Sequence, residues 1–155
     1  MRKILIALTV LLLNSAGKAE DSIQGGAMCL GINYPGIELK YFLNSKNAVE
    51  LRYQASDEIS VAGIRWYRCS LKSSSDLSLF YGFEAGGISF KGDDSEGTGI
   101  MGGLYLGGEY FIGKRLGLIM DIGPYYISLS DADYSVTESG IAFVVNLGLN
   151  FYFKK

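Results

Sequence analysis

The amino-acid sequence predicts an all-β chain folded as an eight-stranded antiparallel up-and-down transmembrane β-barrel. Three observations carry that prediction. Apolar and polar residues alternate along eight segments, the chain opens with the layout of an export signal, and the composition is rich in glycine and aromatics. The 155 residues include 21 Gly, 11 Tyr, 8 Phe and 1 Trp against only 2 Pro. Beyond the N-terminus no stretch approaches the roughly twenty consecutive apolar residues of a membrane helix. Any crossing must be made by strands.

At the N-terminus, Met1-Arg2-Lys3 is basic, Ile4 to Leu13 is an apolar run, and Asn14 to Ala19 turns small and polar. This is the pattern of a secretory signal peptide, residues 1–19, with cleavage after Ala19. The apolar run is too short to span hydrocarbon as an anchor. Cleavage leaves residues 20–155 as a single domain. Arg2, Lys3 and Lys18 are removed, so 11 basic residues face 16 acidic ones, a formal charge of −5. No basic patch points to nucleic acid. Cys29 and Cys69 would meet an oxidising compartment, but they fall on non-adjacent strands and are expected to stay unpaired. Gly26-Ala27-Met28 is a poor lipidation signal for Cys29.

The segments follow in order. Side chains of a strand point alternately to its two faces, so each segment has an apolar and a polar side. Met28, Leu30 and Ile32 oppose Cys29, Gly31 and Asn33. Ile37, Leu39 and Tyr41 oppose Glu38, Lys40 and Phe42. Val49, Leu51 and Tyr53 oppose Glu50, Arg52 and Gln54. Ala62, Ile64 and Trp66 oppose Gly63, Arg65 and Tyr67. Leu77 to Ala85 oppose Ser78 to Gly86. Ile100, Leu104, Leu106 and Tyr110 oppose Met101, Gly103, Tyr105, Gly107 and Glu109. Leu118, Met120 and Ile122 oppose Ile119, Asp121 and Gly123. The last segment, Gly140 to Phe153, alternates without a break.

The apolar parity changes between Ile32 and Ile37. Either a tight turn at Tyr34-Pro35-Gly36-Ile37 separates two strands, or a bulge kinks one. Pro then Gly at the centre suits a type II turn, and an even strand number suits a single-chain bacterial barrel. The turn is therefore preferred. Asn44–Asn47, Lys72–Asp76 and Gly113–Arg115 become periplasmic turns. Ala55–Glu58, Lys91–Thr98 and Ser130–Ser139 become external loops, the last two the longest, as outer-membrane barrels prefer. Pro124 falls inside a strand and is expected above the hydrocarbon or at a bulge.

Alternation alone does not say which face meets solvent; a soluble lipocalin-like barrel would bury the apolar side. Here the polar side is glycine-rich, with few charges of both signs, unlike a soluble exterior. The apolar side carries almost no charge, as lipid contact requires. Aromatic clusters at Tyr41-Phe42, Trp66-Tyr67, Tyr110-Phe111 and Phe151-Tyr152-Phe153 fit an interfacial girdle. The polar face then lines the lumen, where Glu38, Lys40, Glu50, Arg52, Arg65, Glu84, Glu109 and Asp121 are expected to form an ion-pair network, because buried charges need partners.

The segment Asn146-Leu147-Gly148-Leu149-Asn150-Phe151-Tyr152-Phe153 resembles the C-terminal signal of the small outer-membrane β-barrel family typified by OmpX and the OmpA transmembrane domain. The resemblance implies an outer-membrane location and a role for Asn146, Gly148, Phe151 and Phe153 in recognition by the assembly machinery. The chain departs from that pattern by ending in Lys154-Lys155.

Chemistry is sparse. There is no histidine, and outer-membrane barrel enzymes generally resemble one another in using one, so no enzymatic activity is expected. No cofactor or metal is expected either: the acidic stretches Asp93-Asp94-Ser95-Glu96 and Asp131-Ala132-Asp133 lack the spacing of a calcium loop. An eight-stranded lumen has room only for its own side chains, including Tyr67, Phe80, Tyr105 and Tyr125. The expected function is that of a closed, monomeric outer-membrane barrel with a structural or surface-interaction role, in contact with membrane lipid and lipopolysaccharide. The alternatives are a small-solute porin-like channel and a soluble exported ligand-binding barrel.

Overall fold

Eight strands pair antiparallel, each with its sequence neighbours, and the last returns to the first, so the sheet closes into a barrel. They are β1 (Met28–Asn33), β2 (Gly36–Phe42), β3 (Asn47–Ala55), β4 (Ile59–Lys72), β5 (Leu77–Lys91), β6 (Glu96–Phe111), β7 (Leu116–Asp131) and β8 (Thr137–Phe153). The structure is a computed structural model, and it describes residues 25–72, 76–92, 96–131 and 137–153. The expected export signal at 1–19 lies outside the described residues, as do Asp93, Asp94, Ala132 and Asp133.

The register fixes the stagger. Leu30, Leu39, Leu51, Ile64, Ala85, Gly102, Tyr126 and Ile141 pair in succession around the wall. Leu30 itself pairs with Phe151, ten residues further along β8 than Ile141. A stagger of that kind is what tilts barrel strands by about 35–45°.

The parity change near Pro35 is a turn. Asn33 pairs with Gly36, so the central residues are Tyr34 and Pro35, joined by a cis peptide bond. The expected type II turn centred on Pro35-Gly36 is thus displaced by one residue, with a cis proline in the second central position. Gly36 is needed for a different reason: a Cβ there would lie 2.8 Å from Gln54 Cα on β3. At the opposite end of β2, Asn44 Oδ1 accepts the N–H groups of Lys46 and Asn47, both at 2.9 Å. That is the side-chain mimicry that suits asparagine to turns.

Pro124 lies neither above the apolar exterior nor at a bulge. Outward Ile122 and Tyr126 flank it, and the β7–β8 ladder runs through it to Phe143. The β6–β7 ladder instead skips from Gly103–Tyr125 to Leu106–Ile122, the interruption a residue without an N–H imposes. The register shift is elsewhere, on β4 between Cys69 and Leu71.

Strand lengths are uneven. β1 and β2 have 6 and 7 residues, whereas β5 to β8 have 15 to 17. Met28 pairs with both Tyr41 and Phe153, so β1, β2 and β8 are in step at the short-turn end. The difference accumulates at the loop end. β1 stops at Asn33 opposite Gly148, and β8 continues eleven residues further to Thr137. The expected loops at Lys91–Thr98 and Ser130–Ser139 accordingly shrink to 92–95 and 132–136. Their flanks are strand.

The apolar side of every segment faces outward. Leu51, Ile64, Phe83, Leu104, Met120 and Phe143 are among many large apolar side chains left exposed. The polar side is buried in the lumen. Towards the loop end this polarity inverts without a break in β5 or β7: Ile88, Phe90, Ile127 and Leu129 turn inward, while Ser89, Ser128 and Ser130 turn outward.

The charged lumen as candidate functional site

Closure brings seven of the eight expected lumenal charges into one network. Arg65 on β4 sits at its centre, within 3.4 Å of Glu50, 3.1 Å of Glu84 and 3.0 Å of Asp121. Arg52 on β3 reaches Glu38 at 3.3 Å, Glu50 at 3.6 Å and Glu84 at 3.7 Å. Lys40 pairs with Glu50 at 3.4 Å. All are buried. Cross-strand neighbours make this possible, since Glu38 pairs in register with Arg52, Lys40 with Glu50, Glu50 with Arg65, and Arg65 with Glu84. Opposite charges directly across a strand pair attract, and like charges repel.

Glu109 departs from the expectation. Among the described residues no cation lies within ion-pair distance of it. Its carboxylate instead accepts from Asn150 Nδ2 at 2.9 Å and from the Tyr152 hydroxyl at 2.7 Å. The reason is its position near the short-turn end, where its neighbours are amide and phenol. Asn146 plays the same part for Asp121, at 2.8 Å. Asn33 Nδ2 donates to Glu38, and the Tyr125 hydroxyl to Glu84 at 2.7 Å. These neutral donors lie at lumen-facing parity, which is the signal that could have assigned them to the network.

Charge and hydrogen-bond supply do not balance. Five carboxylates share the buried lumen with three cations. Glu38 Oε1 and Asn150 Oδ1 have no hydrogen-bond partner, and both converge on Gly31, at 2.6 Å or less from where its Cβ would stand. Here two acceptors without donors lie beside one glycine. Among the described residues no cluster of His, Cys, Asp or Glu is suited to hold a metal ion.

Aromatic rings fill the rest. Each of the four expected clusters is split by strand alternation. Tyr41, Trp66, Tyr110, Phe151 and Phe153 belong to the outer face, whereas Phe42, Tyr67, Phe111 and Tyr152 are buried inside. The girdle therefore keeps five of the nine expected rings, and the four inward ones form a plug with Phe80, Tyr105, Ile119, Ala27, Cys29 and Ala48. Tyr152 lies 6.0 Å from Phe42 and 5.4 Å from Phe111 between ring centroids. Arg65 lies 3.7 Å above the Tyr105 ring, and Lys40 lies 4.3 Å above the Tyr67 ring, within the range of cation–π attraction. Glycine makes the room. A Cβ at Gly82 would lie 2.5 Å from the Tyr105 hydroxyl, and one at Gly107 would lie 2.7 Å from Phe80 Cζ. Cys29 and Cys69, on β1 and β4, are free.

Set against solved structures, the barrel has a counterpart. It is similar to the N-terminal β-barrel domain of Pseudomonas aeruginosa OprF. The likeness covers 82% of this chain and 94% of that one, at a TM-score of 0.53 and 14% sequence identity. At that identity the shared property is the fold: an all-β, closed, eight-stranded antiparallel barrel. No protein-family model and no curated protein matches the chain.

The four residues of the expected assembly signal divide by face. Phe151 and Phe153 point outward, with ring centroids 5.4 Å apart. Asn146 and Gly148 point inward, and both have structural duties. Asn146 binds Asp121, and a Cβ at Gly148 would lie 2.8 Å from the Ile32 carbonyl across the closing seam.

Proposed function

We propose that the protein is an integral outer-membrane barrel, not an enzyme, with a closed lumen and a structural or surface-interaction role. One observation carries this: charge is inside and hydrocarbon is outside. A soluble exported barrel has the reverse arrangement, because exposed apolar surface of this extent drives association in water. Lysine or arginine facing lipid at the midplane costs about 2–4 kcal/mol, and the outward faces of the strands avoid it. The likeness to the OprF barrel domain supports the fold on which this rests. Lipid and lipopolysaccharide are then its surroundings, and Phe151 and Phe153 remain exposed for the assembly machinery to read on the last strand.

The plug favours a closed lumen over a solute channel. Phe42, Phe111 and Tyr152 occupy the short-turn end, and the ion pairs occupy the middle. Cell fractionation followed by electrophoresis with and without boiling tests the membrane assignment. Outer-membrane recovery with heat-modifiable migration is expected. A protein that is soluble without detergent overturns it.

A further inference from the structure

The uneven wall leaves a gap. β1 has 6 residues, which at about 3.3 Å each and a tilt of about 35–45° rise only about 15 Å, against an apolar band of about 25 Å. A crossing strand ordinarily needs about 9–11 residues. Above the Tyr34-Pro35 turn, β8 has no β1 beside it from Thr137 to Leu147. In that same stretch Ile141, Phe143 and Val145 face outward, exposed by 75%, 76% and 62%. The gap thus lies at the level of the lipid-contact surface and is continuous with it.

The side chains behind the gap are of the wrong kind for a polar lumen. Lower on β8 the inward residues Gly148 and Asn150 lie beside β1; beside the gap the inward positions are Glu138, Gly140, Ala142, Val144 and Asn146, so the apolar part is Ala142 and Val144. Strands that are apolar on both faces are ordinarily covered on both faces. The wall from β7 round to β4 matches, with Ile127, Met101, Ile88 and Val61 at inward positions near the loop end. Tyr125, two residues from Ile127 on β7, is buried and donates its hydroxyl to Glu84 at 2.7 Å.

Resting on the membrane reading above, we propose that the hydrocarbon chain of a membrane lipid enters through the gap over the β1–β2 turn and lies against this inner apolar patch. Lipid is the occupant because the opening faces lipid, and from Ile141 to Val145 both faces of β8 are apolar. Water would wet neither face of the strand favourably.

Tryptophan quenching by phospholipids with brominated acyl chains tests this on the full-length chain refolded in vesicles. Trp66 is the sole tryptophan, and it lies on the outer face stacked on Phe83. Its quenching reports the membrane reading by itself; no quenching of Trp66 overturns that reading. In a Trp66→Phe background, Val144→Trp and Ala142→Trp are expected to lose emission to the same extent as Phe143→Trp. Quenching by aqueous acrylamide only, or by neither agent, at 142 and 144 overturns the proposal while Phe143→Trp is still quenched by the lipid. If these variants fail to fold, a photoactivatable acyl chain is used with the unmodified protein. Cross-links at Met101 or Ile127 are expected, and cross-links confined to outward-facing residues overturn the proposal.

Discussion

Single side chains in the lumen differ sharply in what their loss should cost. Glu50 contacts all three buried cations, and among the described residues it is the ion-pair partner of Lys40. Glu50→Gln leaves Lys40 buried with the Tyr67 ring but without its carboxylate, and removing one partner of such a pair costs about 3–5 kcal/mol. Glu38→Gln is expected to behave oppositely. Its Oε1 has no donor and lies on the same side of Gly31 as the equally unpartnered Asn150 Oδ1, so an amide nitrogen in its place removes one orphan acceptor and offers a donor to the other. It also lowers the excess of carboxylates over cations. Urea unfolding in detergent micelles, followed by Trp66 fluorescence, should show Glu50→Gln strongly destabilised and Glu38→Gln unchanged or more stable. Equal losses would contradict this assignment of roles.

Strands raise a different question, because one sequence signal had two causes. Apolar parity changes at Pro35 because a real turn intervenes. It changes again between Ala85 and Ile88, and between Ile122 and Ile127, within strands that continue without a register shift. There the surroundings change, not the backbone: below, the outside is apolar; above, the inside is. Alternation therefore located all eight strands and their faces but placed the loop ends of β5 to β8 too early. The same alternation also divides the aromatic clusters, Tyr41 from Phe42 and Trp66 from Tyr67, so a girdle that counts both members of each cluster overstates the outward rings. The seven-member ion-pair network was legible from parity, whereas the exclusion of Glu109 depended on which neighbours the stagger supplies. A test belongs to β8. Phe143→Lys should destabilise the barrel by about 2–4 kcal/mol in lipid, while Ser130→Lys, above the inversion on β7, should leave it nearly unaffected. Equal costs in the same vesicles would mean that the inversion does not mark the edge of the apolar band.

Taken whole, the barrel is closed at one end by rings, bridged in the middle by ion pairs and lined with hydrocarbon at the loop end. Planar-bilayer recordings are expected to show no steady current from the unaltered protein. Replacing Phe42, Phe111 and Tyr152 together with alanine removes the rings at the short-turn end but leaves Tyr67, Phe80, Tyr105 and the ion pairs. The pore should then stay narrow, with brief openings at most. A steady current from the unaltered barrel would favour the channel alternative.

The low side of the wall also has a mechanical consequence. A body whose hydrophobic height varies around its circumference cannot match a bilayer of uniform thickness. It tilts, or the membrane thins against the shorter side, at a cost of fractions of a kcal/mol per ångström of mismatch. The hairpin from Met28 to Phe42 would therefore act as a fixed defect in lipid order, softening one sector of the surrounding membrane. Other proteins or lipids that favour thinner bilayer would collect on that side. This directional preference follows from a hairpin that is simply too short.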